Sequence, residues 1–291
     1  MKWQGQRESE NVEDRRDEGG GGGSFIGGRG IGVGTIVIAL VGGWIFGVNP
    51  LTILGLLSGG GGGAPMSQQA PAHAPPANDV SARFVSTVLA DTEDVWTAVF
   101  QAAGGQYQQP RLVLFRNRIA TACGSGESAM GPFYCPGDRK VYLDLAFFDT
   151  LRSRLGSPGD FAQAYVVAHE VGHHVQNLLG ITDKVDARRG HISEVQMNAL
   201  SVRVELQADC LAGVWAFHSQ QGKGWLEQGD IEEALNAASH IGDDTLQRNA
   251  GGAVRPESFT HGSSAQRVSW FKRGLQGGQI KDCNTFDAAA L

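Results

Sequence analysis

Residues 166–173 read Val166-Val167-Ala168-His169-Glu170-Val171-Gly172-His173. Histidines four apart share one face of a helix, and the glutamate beside the first lies on the adjoining surface, so two imidazoles and a carboxylate turn toward one point. Neutral imidazoles suit Zn²⁺ because they bind it without cancelling its charge. The ion lowers the pKa of a bound water toward about 7, and a nearby carboxylate takes the proton. The bland reading of the same spacing is two surface histidines flanking a solvated glutamate. The apolar run just upstream argues against it, because that run anchors the back of the helix in a core. The motif therefore predicts His169 and His173 as zinc ligands and Glu170 as general base.

Working outward, Asp160 reads as the N-cap of this helix, which runs to Leu179 with Gly180 as its stop. The longer pattern His-Glu-x-x-His-x-x-Gly-x-x-His fails, since Gln176 and Leu179 occupy its last two fixed positions, and this excludes the metzincin arrangement. The third ligand must come from elsewhere. The next helix offers Glu205-Leu206-Gln207-Ala208-Asp209, with two carboxylates four apart on a helix made largely apolar by Val202, Leu206, Ala208, Cys210, Leu211 and Val214. Carboxylates are costly there without partners. Glu205 is therefore expected as the third ligand, with Asp209 taking the remaining N–H of a ligand histidine. Farther on, Ser258-Phe259-Thr260-His261-Gly262-Ser263 places His261 in a turn before a helix, where it is a candidate to stabilise an oxyanion. His174 falls one residue off the ligand face and reads as a supporting or surface residue. His191, His218 and His240 have no partner spacing.

The rest of residues 83–291 reads as one α+β domain, mostly helical with a small sheet. Val85, Val88, Leu89, Val95, Val99 and Phe100 recur at helical spacing over about 80–103. Arg111 to Phe115 and Lys140 to Leu145 have strand character, the second being a candidate edge for adding a substrate strand. Ser193 caps a helix to about His218, Asp230 one to His240, and Ser263 or Ser264 one through Phe271. Cys123 and Cys135 flank a Gly/Pro loop that an oxidising compartment would close as a disulfide. Cys210 and Cys283 form either a second bridge or, with Cys210 on an apolar helix face, free buried thiols.

Upstream, the composition changes. Residues 1–29 mix charges and end in a glycine tract, which predicts a disordered tail. Gly30 to Val48 carries no charge over nineteen residues, about 28 Å as a helix, and reads as a single transmembrane helix. Arg15, Arg16 and Arg29 precede it and no basic residue follows until Arg83, so the positive-inside rule puts the N-terminus in the cytoplasm and the domain outside. A cleaved signal peptide ending near Ala72 or Ala74 is the competing reading, disfavoured by its long, partly acidic start. Residues 49–82, rich in Gly, Ala and Pro, form the linker. A net charge of −6 without a long basic run disfavours nucleic acid as a partner.

Several stretches together resemble one family: Lys2-Trp3-Gln4-Gly5-Gln6-Arg7, Asn11-Val12-Glu13-Asp14-Arg15-Arg16, Pro132 to Asp138, Val141 to Asp144, His169 to His173, Glu205 to Cys210 and Thr260 to Ser263. The chain is similar over nearly its whole length to the bacterial predicted neutral zinc metallopeptidases. That resemblance implies a membrane-anchored bacterial protein with a zincin-type domain; the charge asymmetry around the span puts the domain on the outer side, and the site chemistry points to peptide or protein substrates. Its zinc site would combine the His-Glu-x-x-His helix with a downstream glutamate. The rival is a noncatalytic envelope module with a structural zinc, but such sites fill all four positions with protein and only three ligands are nameable here.

Overall fold

The computed structural model describes residues 1–18, 73–128, 131–153, 159–249, 251 and 253–287. The expected transmembrane stretch, Gly30 to Val48, lies outside them, as do residues 19–29 of the expected tail and most of the linker. Among the described residues no helix is long and apolar enough to cross a membrane.

The fold is α+β and mostly helical. Helix α1 (Val80–Ala102) buries Val85, Val88, Leu89 and Val95 as the periodicity predicts, and it begins inside the expected linker because Asp79 caps it, accepting from the Ala82 N–H. The sheet has the order β1-β2-β6-β5, from β1 (Val12–Asp14), β2 (Arg111–Leu114), β6 (Lys140–Leu143) and β5 (Phe133–Cys135). Strands β1, β2 and β6 run parallel, with Val12 opposite Leu112 and Leu112 opposite Val141, while β5 is antiparallel to β6. A separate hairpin joins β3 (Arg118–Thr121) and β4 (Gly124–Glu127). Strand β6 thus lies between two neighbours with both edges paired, so it cannot take a substrate strand; β1 and β5 are the edge strands.

After β6 come α2 (Ala146–Ser153), α3 (Asp160–Leu178), α4 (Ile181–Asp186), α5 (Glu194–Lys223), α6 (Asp230–His240), α7 (Asp243–Asn249) and α8 (Ser264–Gly277). Ser193 and Ser263 cap α5 and α8 in reciprocal capping boxes with Gln196 and Gln266. Asp160 and Asp230 do not cap: Gly159 and Gly229 hold those positions. The two aspartates instead face the Met1 ammonium, at 2.9 and 3.4 Å, and that ion pair takes the oxygens a cap would use. Helices α5 and α8 touch almost backbone to backbone. A Cβ on Gly274 would sit 1.8 Å from the Cys210 carbonyl oxygen and one on Gly213 2.1 Å from that of Phe271. Both disulfides are formed, Cys123–Cys135 and Cys210–Cys283, and among the described residues no cysteine is free.

The first eighteen residues correct the expectation of a disordered tail. Strand β1 is part of the sheet, and the segment before it runs along α1, held by polar contacts. Glu93 of α1 is only 1% exposed, and Arg7, Ser9 and Asn11 all donate to its carboxylate. Arg16 bridges Asp14 and the capping Asp79, and the Asp14 N–H donates to the His73 carbonyl at 2.7 Å. Hydrophobic pattern could not reveal a segment bound by ion pairs.

Val12 is buried and Asp17 exposed. Val12→Asp should therefore lower stability by about 3 kcal/mol or more, whereas Asp17→Ala should leave the urea midpoint unchanged. A loose tail would tolerate both.

Candidate metal centre

Helices α3 and α5 cross where Gly172 faces Ala208; a Cβ on Gly172 would come 3.0 Å from the Ala208 carbonyl oxygen. That approach brings side chains from the two helices together. His169 Nε2 lies 3.2 Å from Glu205 Oε2, and His173 Nε2 lies 3.5 Å from Glu205 Oε1. One donor atom from each of the three falls within 4.8 Å of the others. Ligand atoms about 2.0–2.1 Å from zinc at tetrahedral angles stand roughly 3.3 Å apart. The two observed separations bracket that spacing, so the donor set fits the ion.

Both imidazoles are oriented from behind. His169 Nδ1–H donates to Asp209 Oδ1 at 2.9 Å, and His173 Nδ1–H donates to Gln176 Oε1 at 2.9 Å. The Gln176 amide is itself fixed, because its NH₂ donates to the Val204 carbonyl and to Gln207 Oε1. These bonds assign the tautomer that turns both Nε2 atoms toward Glu205. Asp209 is fully buried and also accepts from Tyr165 Oη and from two nitrogens of Arg267, at 2.8 and 2.9 Å.

The electrostatics follow from this burial. Burial opposes the charged form of His169, but Asp209 and Glu205 outweigh it and push its pKa up to about 10. Burial likewise opposes ionisation of Glu205 and Asp209, yet both are held below the usual carboxylate range, Glu205 chiefly by His173 and His169 and Asp209 by Arg267 and His169. Glu170 goes the other way: burial raises its pKa above the ordinary value, more than the two histidines lower it. A raised carboxyl pKa suits a group that must take and release a proton near neutrality.

His261 stands beside this cluster. Gly262 adopts φ 92°, open to glycine but not to most other residues, and a Cβ there would touch Leu206 and Val202, the neighbours of Glu205 on α5. Asp243 holds the turn: its Oδ2 accepts the backbone N–H of Thr260, His261 and Gly262, and Oδ1 lies 3.2 Å from His261 Nδ1. Burial lowers the His261 pKa, but Asp243 and the field of Glu205 raise it overall, while the side chain stays 40% exposed.

The sequence reading missed Gln176, Asp243, Tyr165 and Arg267 as parts of the site. Tyr165 precedes His169 by one helical turn, a signal that was readable; Arg267 lies on α8, with no spacing to betray it. His174 is not at the surface. It is fully buried and neutral, accepting from Tyr134 Oη and donating to the Gln108 carbonyl, with burial pushing its pKa down to about 4. It braces the far side of α3 against β5.

Two imidazoles one turn apart and a carboxylate from the next helix form a group that could hold a metal ion, with a buried glutamate beside them. The chain belongs to the family described as “Putative neutral zinc metallopeptidase”, whose model matches residues 1–286. It is 52% identical over 294 residues to the Escherichia coli protein “Uncharacterized protein YpfJ”, covering 98% of this chain and 99% of that one. It is 43% identical over 219 residues to the Mycobacterium tuberculosis protein “Uncharacterized protein Rv2575”, covering 72% of this chain and 73% of that one. No solved structure matches the chain significantly.

Gln176→Ala should weaken zinc binding by about 10- to 100-fold in chelator competition, with the circular dichroism spectrum unchanged. Asp209→Ala should cost about 3–5 kcal/mol, because it strands the buried Arg267 guanidinium. The Asp209 carboxyl is depressed from 3.8, so its contribution is fully present above that pH and is lost as pH falls through the lower folded value. The wild-type advantage in urea midpoint should shrink accordingly below about pH 4.

Proposed function

We propose that this protein is a zinc-dependent metallopeptidase that hydrolyses peptide bonds, with His169, His173 and Glu205 as the metal ligands. The observation that carries the reading is the convergence of three donor atoms, with both histidines fixed from behind and Glu170 buried beside them. Zinc held there would supply positive charge that polarises the scissile carbonyl and acidifies a water. Glu170 takes the proton of the attacking water and returns it to the departing amine, a double transfer favoured by its raised pKa. His261, oriented through Nδ1 by Asp243, donates to the carbonyl oxygen as negative charge builds on it. Asp209, Tyr165 and Arg267 hold His169 in place and do not touch substrate.

Location forms part of the proposal. Two disulfides support an oxidising compartment on the outer side of a bacterial cell membrane. Pairing of β1 with β2 supports the N-terminal residues sharing that compartment. The apolar Gly30 to Val48 stretch supports attachment to the membrane, without a net crossing between the two flanks that meet at Asp14 and His73.

Glu170→Gln should retain one zinc per chain and abolish zinc-dependent cleavage of a general peptide library. His261→Ala should lower kcat about 100-fold at unchanged zinc content. Full zinc occupancy with no cleavage by the wild-type protein would instead identify a noncatalytic zinc-stabilised module. For location, single cysteines at the exposed positions Glu10 and Gln101 should label together with a membrane-impermeant maleimide added to spheroplasts. Labelling of only one would place the N-terminal strand across the membrane from the domain.

A further inference from the structure

A cavity of about 670 Å³ opens between α4, the first turns of α5 and the chain around Ile280 to Phe286. It is separate from the metal centre. Gln196, Ala199, Leu200 and Gln207 line it from one face of α5, and Glu205 lies about half a turn away, on the face that meets the histidines. Ile181, Val185, Ile192, Leu200, Ile280 and Phe286 give the cavity apolar walls. Its charged lining is entirely cationic, from Lys184, Arg188 and Lys281, on a chain whose net charge is −6. All three are exposed, and none is held in an ion pair among the described residues. Long cationic side chains lay their stems on an apolar wall and keep their heads in water, so charge gathers at the mouth with hydrocarbon inside.

The hydrogen-bonding groups of the lining restrict the ligand further. Gln196 Oε1 accepts from the Ser193 N–H, Asn284 Oδ1 from the Phe286 N–H and Gln207 Oε1 from Gln176, so every side-chain acceptor in the lining is already engaged. Donors are what remain: the NH₂ groups of Gln196 and Asn284 and the three cations. A fitting ligand brings acceptors, negative charge and hydrocarbon. An extended peptide would bring a row of N–H groups that no side chain here can take, and an amine or a sugar would meet the same lack. Size excludes a membrane phospholipid. At about 30 Å³ per heavy atom, a water's share of the liquid, the cavity holds on the order of twenty such atoms, enough for one carboxylate and one chain but not for two chains.

We propose that this cavity binds a single-chain fatty carboxylate, its chain between Val185, Leu200, Ile280 and Phe286 and its carboxylate at the mouth among Lys184, Arg188 and Lys281. The site needs neither zinc nor Glu170, so it stands apart from the peptidase reading. It gives the protein a second ligand, of lipid origin, on the face of α5 away from the metal centre.

The test uses full-length zinc-loaded protein in phosphatidylcholine nanodiscs and dodecanoate carrying a diazirine on its chain, with crosslinked peptides mapped by mass spectrometry. Labelling should fall on residues 181–200 and 280–286. Unlabelled dodecanoate should displace the probe, whereas dodecanol, dodecylamine and a Glu-flanked Leu-Phe peptide at the same concentration should not. Lys184→Glu combined with Lys281→Glu should lower labelling about tenfold, and a diazirine dodecylamine should then label the same residues. Leu200→Trp, which fills the interior, and Ala199→Trp, at the exposed mouth, should each remove labelling with the circular dichroism spectrum and zinc content unchanged; the mouth variant decides this arm if the interior one alters the spectrum. Removing zinc with a chelator should leave labelling as it was. Displacement by dodecanol or dodecylamine as effective as by dodecanoate, or labelling that the charge reversal does not move, overturns the proposal. So does displacement by the peptide, which would assign the cavity to a protein segment, and so does loss of labelling on chelation, which would put the carboxylate on the metal.

Discussion

One buried carboxylate organises the centre of this molecule. Asp209 has no contact with solvent and accepts from His169, Tyr165 and Arg267, so a single side chain joins α3, α5 and α8. Such a charge persists in a core only when every lone pair has a donor. Satisfying it dictates where three helices stand relative to one another. The separation of the paired imidazoles from Glu205 is a product of that arrangement, helped by Gly172, which lets α3 approach α5 at backbone distance.

A second layer of polar control surrounds the first. Gln176 and Asp209 do for the two histidines what packing does for an aliphatic side chain: each leaves one orientation available. Asp243 plays the same part for the turn carrying His261, gathering three successive backbone N–H groups on one oxygen. The contrast between Glu205 and Glu170 follows from neighbours. Glu170 is buried and Glu205 largely so, but histidines bond directly to Glu205 and hold its pKa down, whereas at Glu170 they only partly offset the burial that raises it.

Much of this was legible in the sequence because it depends on local spacing. The i, i+4 pairs His169/His173 and Glu205/Asp209, the periodic apolar residues of α1 and the capping serines Ser193 and Ser263 are all short-range signals. Illegible parts depend on distant chain segments meeting. Strands β1 and β5 are three residues each, too short for an alternation to register. The burial of Glu93 is tolerated only because residues some eighty positions away reach it. Asp160 and Asp230 carry good capping side chains but are occupied by the Met1 ammonium, a competitor that no window on either helix contains. Arg267 shows the limit most plainly, since nothing in its neighbourhood on α8 announces a carboxylate on α5.

The Cys210–Cys283 bond has a topological result. It begins one residue after Asp209 and ends beside the apolar cavity, closing a macrocycle across a sequence separation of 73. Arg267, Asp243 and His261 all lie inside that ring, whereas the paired histidines and Glu205 lie outside it. By the chain-entropy model a ring of this size restricts the denatured ensemble by about 4 kcal/mol. Reduction would therefore release the segment that carries Arg267, Asp243 and His261, changing α5 covalently only at Cys210 and leaving α3, with its paired histidines, untouched.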